Sequence, residues 1–232
     1  MIFKSEKVLA QWDTWMFYHE GTHYLYYLIT RKKESGGGGE FLFEGIGMAT
    51  SSDGVHYEDI GPVIEPSENM VFFLGTGSVW KDPKFSETGV FFINYSEYRQ
   101  TGEAETQHIL FARSADLIHW EKYGDEKMFS ADEDLYESHG RWDCINTYPR
   151  AEGGYWGNWT ATPLGRGASE NGIGMGYSED GLNWIPLPPP EVSPIADEAG
   201  DFMQRDGVWY ALFGRSGDMA VYTADDVEGP YV

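Results

Sequence analysis

The sequence predicts an all-β chain folded as a β-propeller with four visible blades. Three observations carry that prediction: a phrase written four times, a tight-turn signal ahead of each copy, and almost no helical periodicity. The phrase reads ATSSDGVHYED at 49–59, ARSADLIHWEK at 112–122, GYSEDGLNWIP at 176–186 and YTADDVEGPYV at 222–232. Each copy sets a small or hydroxyl residue ahead of an aspartate, and the first three close on an aromatic. The aspartates assigned to the copies are Asp53, Asp116, Asp180 and Asp225, spaced 63, 64 and 45 residues apart. Self-similarity at such a period signals a repeat architecture.

Each unit is then built in order. The inner strand is a short apolar stretch: TWMFY (14–18), SVW (78–80), INTY (145–148) and DFM (201–203). The turn follows at Glu20-Gly21, Thr88-Gly89, Gly153-Gly154 and Asp206-Gly207. Gly after a polar residue is a strong hairpin signal because Gly accepts positive φ. A longer Tyr/Phe/Leu strand comes next, then a looser link and a third strand: GIGMAT, ILFARS, GIGMGYS and MAVYTA. The aspartate phrase turns the chain into a short fourth strand, its carboxylate accepting from backbone N–H groups two residues on. Four antiparallel strands repeated radially make a propeller. The expected blades are about 10–66, 72–130, 139–190 and 196–232, in a single domain.

Tyr57, Trp120 and Trp184, closing the first three phrases, are expected between neighbouring blades. RKKESGGGGEF (31–41) reads as a mobile insertion in the first blade, and PLPPPEVSP (186–194) as a stiff link between the third and fourth. No window shows apolar residues at i, i+3, i+4 and i+7 with caps at its ends.

Composition narrows the function. The chain has 232 residues, 41% of them hydrophobic, with 9 Trp, 15 Tyr and 13 Phe, enough for a real core and for aromatic walls. A formal charge of -22 opposes nucleic acid and anionic membranes as partners. One cysteine, Cys144, allows no internal disulfide and no thiolate zinc set, and no metal or other cofactor is expected. MIFKSEKVLAQW has no apolar signal region, which predicts a cytoplasmic protein, and no run of about 18 apolar residues predicts a membrane span.

Chemistry belongs where inner strands converge. Asp13 stands 11 residues before Tyr24, Asp143 12 before Tyr155 and Glu198 11 before Trp209, so three blades set a carboxylate at one expected depth. The second blade has Trp80 at the matching position. Carboxylates converging on one pocket suit glycoside hydrolysis, which needs a nucleophile or base and a proton donor around an oxocarbenium-like transition state. Edge acids and turn residues are the structural alternative for all three.

WDTWMFYHEGTHYLYYL (12–28), GIGMATSSDGVHYEDIGPVI (45–64), GTGSVWKD (75–82) and ILFARSADLIHWEK (109–122) resemble glycoside hydrolase family 32, the invertase, inulinase and levanase relatives. The likeness to families 43 and 68 is more distant. RWDC (141–144) stands where family 32 has Arg-Asp-Pro, and EAGDF (198–202) where it has Glu-Cys-Pro-Asp. The resemblance implies a five-bladed propeller, so with four blades visible the chain is expected to stop before a fifth, which would leave the pocket wall open; the alternative is a closed four-bladed ring. It also implies Asp13 as nucleophile, Asp143 as transition-state stabiliser and Glu198 as acid/base. The prolines of all three motifs are absent and a Trp separates Arg141 from Asp143, so loop geometry near the sugar has changed.

Trp12, Trp15, Trp80 and Trp142 flank the carboxylates and are candidates for stacking on a sugar or for blade packing. His139 and Arg141 are further substrate-binding candidates, Arg141 also as a partner of Asp143 or Glu198. Three functions follow: a retaining fructofuranosidase-type hydrolase, an inverting arabinofuranosidase/xylosidase resembling family 43, or a propeller that only binds carbohydrate.

Overall fold

The computed structural model describes residues 3–31, 43–167 and 170–232. Helix is limited there to one turn, α1 (Phe85–Thr88), and a 3₁₀ turn at Asp125–Lys127. Everything else regular is strand, in four antiparallel sheets that follow one another along the chain.

The first sheet is a meander of β1 (Ala10–His19), β2 (Thr22–Thr30), β3 (Ile46–Ser51) and β4 (Glu58–Ile64). The second contains β5 (Met70–Leu74), β6 (Val79–Lys81), β7 (Phe91–Thr101), β8 (Ala104–Ser114) and β9 (Glu121–Lys122). The third is β10 (Trp142–Pro149), β11 (Tyr155–Ala161), β12 (Gly172–Ser178) and β13 (Ile185–Leu187). The fourth has three strands, β14 (Glu198–Arg205), β15 (Val208–Arg215) and β16 (Asp218–Ala224). Its expected fourth strand is reduced to reciprocal backbone bonds between Thr223 and Val232. The result is the expected four-blade propeller arrangement.

The inner hairpins at Glu20-Gly21 and Asp206-Gly207 form as read, both residues of each pair taking positive φ. Thr88-Gly89 does not make a two-residue turn: Gly89, at φ 63°, ends α1 instead. Blade two also differs at its inner edge. β5 and β6 both pair with β7, on either side of Gly75–Ser78, so one inner strand is interrupted by the glycines of GTGS. The links read as loose after the second strand are tight in two blades, turning at Gly102 and at Ser216-Gly217.

The recurring phrase builds the same turn three times. Asp53, Asp116 and Asp180 each accept from the backbone N–H groups two and three residues on, and each is bonded by the serine two residues before. In blade four the equivalent is Asp226, which accepts from Glu228 N–H, and not Asp225. Asp226 is the residue two positions after Ala224, where the other copies have serine.

Aromatics seal the seams. Tyr26, Trp15 and Trp120 pack between blades one and two, with the Tyr26 hydroxyl on the Leu117 carbonyl at 2.7 Å. Trp80, Trp142, Trp159 and Trp184 pack between blades two and three. Met175, Phe202, Trp209 and Tyr222 join blades three and four. Tyr57 was expected at such a seam, but it lies on the opposite face of blade one, against Phe3 of the N-terminal segment, 5.8 Å between ring centres. The face of blade four away from blade three exposes Met203, Tyr210, Leu212, Met219 and Val221. The insertion expected at 31–41 lies outside the described residues, except for Arg31.

Candidate active site

The inner strands β1, β10 and β14 share one irregularity near their starts. In each, two residues oppose one on the next strand: Trp12-Asp13 against Leu28, Cys144-Ile145 against Trp159, Gly200-Asp201 against Leu212. Such bulges turn side chains out of the regular alternation. Cys144 accordingly takes φ 56°, an uncommon backbone for a residue with a side chain.

The shared bulge corrects the expectation of one common depth. Aligned on it, Asp13 matches Ile145 and Asp201, Asp143 matches Gln11 and Ala199, and Glu198 matches Trp142. The count from the following strand misses this because the hairpins differ in length: the second bulge residue stands 11 residues before Tyr24, 10 before Tyr155 and 8 before Trp209. The sequence reading also passed over Asp201, whose carboxyl is pushed up by burial.

The carboxylates meet instead through Arg141. Its Nη2 is 2.8 Å from Asp143 Oδ2 and 3.8 Å from Glu198 Oε1. Asp143 is 4% exposed and receives a second hydrogen bond, from the Ser96 hydroxyl to Oδ1 at 2.5 Å. Glu198 opens β14 and remains largely exposed. Partial burial raises its carboxyl above the ordinary range; Arg141 opposes that rise, and the charges of Asp143, Asp13 and Asp197 add to it. Asp13, exposed on β1, therefore acts in the same electrostatic field. Arg141 Nε is buried and has no hydrogen-bond partner among the described residues.

Blade two supplies the floor. Gly75 passes so close that a Cβ there would lie 2.3 Å from Ser96 Oγ and 2.6 Å from Asp143 Oδ1. Burial pushes the Cys144 thiol up to about 12, which keeps it neutral and removes it as a nucleophile.

The remaining candidates separate by burial. Trp12 is 40% exposed, with its indole N–H on Thr30 Oγ1 at 2.8 Å and its ring edge-on to Phe43. It is the one tryptophan of the four with a substantial free face. Trp15 stacks on Tyr26 inside the seam of blades one and two. Trp80 and Trp142 are 2% and 1% exposed, and their indole N–H groups are taken by the carbonyls of Gly181 and Phe129. Trp80 and Trp142 are packing residues and present no surface to a sugar, which corrects their reading as substrate ligands, while Trp15 is partly buried in its seam. His139 lines a cavity of about 340 Å³ with Gln107, His108 and Ser130, next to the Arg141 segment.

Among the described residues no group of three His, Cys, Asp or Glu side chains is arranged to hold a metal ion, and no helix is long and apolar enough to cross a membrane.

Solved structures share this fold at low sequence identity. A family 43 β-xylosidase/α-arabinofuranosidase from a compost metagenome, in complex with xylotriose, aligns with TM-score 0.69 and 13% identity over 95% of this chain and 76% of that one. A β-fructofuranosidase of family 32 from Bombyx mori, in complex with sucrose, gives 0.65 and 15% over 91% and 45%. An exo-β-1,3-galactanase from Clostridium thermocellum gives 0.64 and 16% over 94% and 46%. The chain thus spans under half the length of the last two. No curated protein matches it by sequence. Residues 13–185 match the family described as the glycosyl hydrolases family 32 N-terminal domain. With three quarters of its length inside that match and its four blades arranged as in these propellers, the chain belongs to glycosyl hydrolase family 32.

Proposed function

We propose that the chain is the catalytic propeller of a retaining glycoside hydrolase acting on fructofuranoside-type bonds. One observation carries the reading: Arg141 holds the buried Asp143 and reaches Glu198, whose carboxyl burial raises above its ordinary range, so two carboxyl groups in different surroundings stand on one cation. A carboxyl raised in this way beside a second carboxyl group suits a proton donor.

In this scheme the Asp13 carboxylate attacks the anomeric carbon while the glycosidic C–O bond breaks. The departing oxygen takes the proton of Glu198. Asp143, held by Arg141 and Ser96, faces the positive charge that develops on the sugar. Water then attacks the glycosyl ester, gives its proton to the Glu198 carboxylate and frees Asp13. Trp12 offers a ring face to the sugar. Support for a fructoside comes from the family and from the sucrose complex of the Bombyx enzyme.

A second reading, an inverting arabinofuranosidase or xylosidase, is favoured by the fold likeness to the family 43 enzyme with xylotriose. Sugar release from sucrose, inulin, arabinan and xylan oligomers separates the two, with the product anomer followed by NMR. Retained fructose supports the proposal; inverted arabinose or xylose replaces it with the second reading. Carbohydrate binding without release from any of them leaves a propeller that only binds.

A further inference from the structure

Asp143 has both oxygens engaged, and the partner on Oδ1 is itself held. Ser96 on β7 and Gln107 on β8 are 0% and 2% exposed. Gln107 Nε2 lies 2.8 Å from Ser96 Oγ, and Gln107 Oε1 accepts the backbone N–H of Trp142 at 3.1 Å. A backbone N–H can only donate, so that contact fixes which end of the amide is oxygen. The amide nitrogen must then face Ser96 and donate to it. With Ser96 Oγ accepting, its own proton goes to Asp143 at 2.5 Å.

We infer that Gln107 and Ser96 are positioning residues, a one-way hydrogen-bond relay that starts at the Trp142 peptide, passes through blade two and ends on Asp143. It leaves β10 at one residue and returns to the side chain of the next, so it fixes the rotation of that carboxylate. Other groups facing it are Arg141, Cys144 and Glu198, Tyr98 from β7, and His108, Glu133 and His139 around the adjoining cavity.

The catalytic consequence rests on the glycosidase reading, whereas the relay itself is tested without activity. Gln107→Glu and Gln107→Leu are made in the 232-residue chain and melted from about pH 4 to pH 8, spanning the ordinary glutamic acid value. A protonated glutamic acid offers its carbonyl to Trp142 N–H and its hydroxyl to Ser96, copying glutamine. Ionised, it offers no proton, turns Ser96 away from Asp143 and buries a second anion beside it. Its folded-state pKa is thus raised, and the variant loses stability relative to wild type as pH rises. The Gln107→Glu deficit should widen by about 4 °C or more toward neutral pH, while the Gln107→Leu deficit stays flat. A flat or narrowing Gln107→Glu deficit overturns the relay.

The second readout is the split between kcat and KM. Ser96→Ala removes the relay's donor to Asp143 and leaves Arg141 in place, so kcat should fall with KM changing far less; an unchanged kcat overturns the effect on Asp143. If wild type releases no sugar at all, the glycosidase reading fails while the melting comparison still decides the relay.

Discussion

Arg141 donates from Nη2 to Asp143 Oδ2 across 2.8 Å, and the two side chains are 30% and 5% exposed. The carboxylate side of this pair is out of water. Removing one partner of a buried pair costs about 3–5 kcal/mol because the other charge is stranded. Arg141 is partly solvated and Ser96 still serves Asp143, so the loss here is smaller. Arg141→Gln should lower stability by about 2–3 kcal/mol in urea unfolding. Because the arginine charge also restrains the Glu198 carboxyl, the same variant should hold the Glu198 proton to higher pH. A stability loss below about 0.5 kcal/mol would mean that the pair is not the anchor of the site.

Glu198 allows a test with a worked sign. Its folded-state pKa is raised, so between the ordinary and the raised value the native chain binds more protons than the unfolded one. Stability contributed by Glu198 is then full below that window and falls as pH rises through it. Glu198→Gln cannot ionise, so its melting temperature relative to wild type should rise with pH and settle above the window. Catalysis should move the other way. Loss of a positioned proton donor costs about 10²–10⁴-fold, so release of sugars with poor leaving groups should fall by that order. Sugars with good leaving groups should still react once. Full activity of Glu198→Gln on natural sugars would remove it as the acid.

Much of the fold was legible because its devices are local. Ser114, Asp116 and the N–H groups of Ile118 and His119 lie within six residues, so the turn is written in one short phrase. The hairpin at Asp206-Gly207 is equally local. That Asp13, Asp143 and Glu198 stand near the starts of inner strands was legible for a similar reason. Their depth was not, since a bulge inserts a residue that shows only once the neighbouring strand is paired. Ser96 and Gln107 escaped for a third reason. They reach Asp143 from another blade, 47 and 36 residues away in sequence, and nothing near them in the chain marks a polar pair as facing a carboxylate. Trp80 and Trp142 failed in the opposite direction, because an inner-strand tryptophan points either at the channel or into a seam, and both here point into the seam.

The turn aspartates give the chain an acid-labile share of stability. At Asp180 burial alone would raise the carboxyl, but the N–H groups of Asn183 and Leu182, with the side chains of Asn183 and Ser178, hold it below the ordinary range. A depressed carboxyl stabilises above its unfolded value, and that share is lost as pH falls through the folded one. Asp180→Ala should cost about 1–2 kcal/mol at neutral pH. The gap to wild type should shrink on acidification in guanidinium titrations. A gap independent of pH would show that the carboxylate charge plays no part in the turn.

Gly75 is where backbone, relay and carboxylate compete for one space. A methyl group there would stand 2.3 Å from Ser96 Oγ and 2.6 Å from Asp143 Oδ1, and neither can retreat. Ser96 is fully buried between Gln107 and Asp143, and Asp143 is fixed on its other oxygen by Arg141. Gly75 is also tied to β7 through its own N–H, which donates to the Ser96 carbonyl at 2.7 Å. Overpacking of this kind costs about 1–3 kcal/mol, and here the strain falls on the oxygens of the site. Gly75→Ala should therefore melt lower and lose kcat together. Gly167→Ala, where a Cβ would meet nothing within 4 Å, should melt as wild type does. Adding Ser96→Gly to Gly75→Ala removes the nearer clash, so part of the stability should return while kcat stays low, because the donor to Asp143 is gone. If Gly75→Ala keeps wild-type stability and turnover, Asp143 and Ser96 have room to move, and the site is looser than its distances imply.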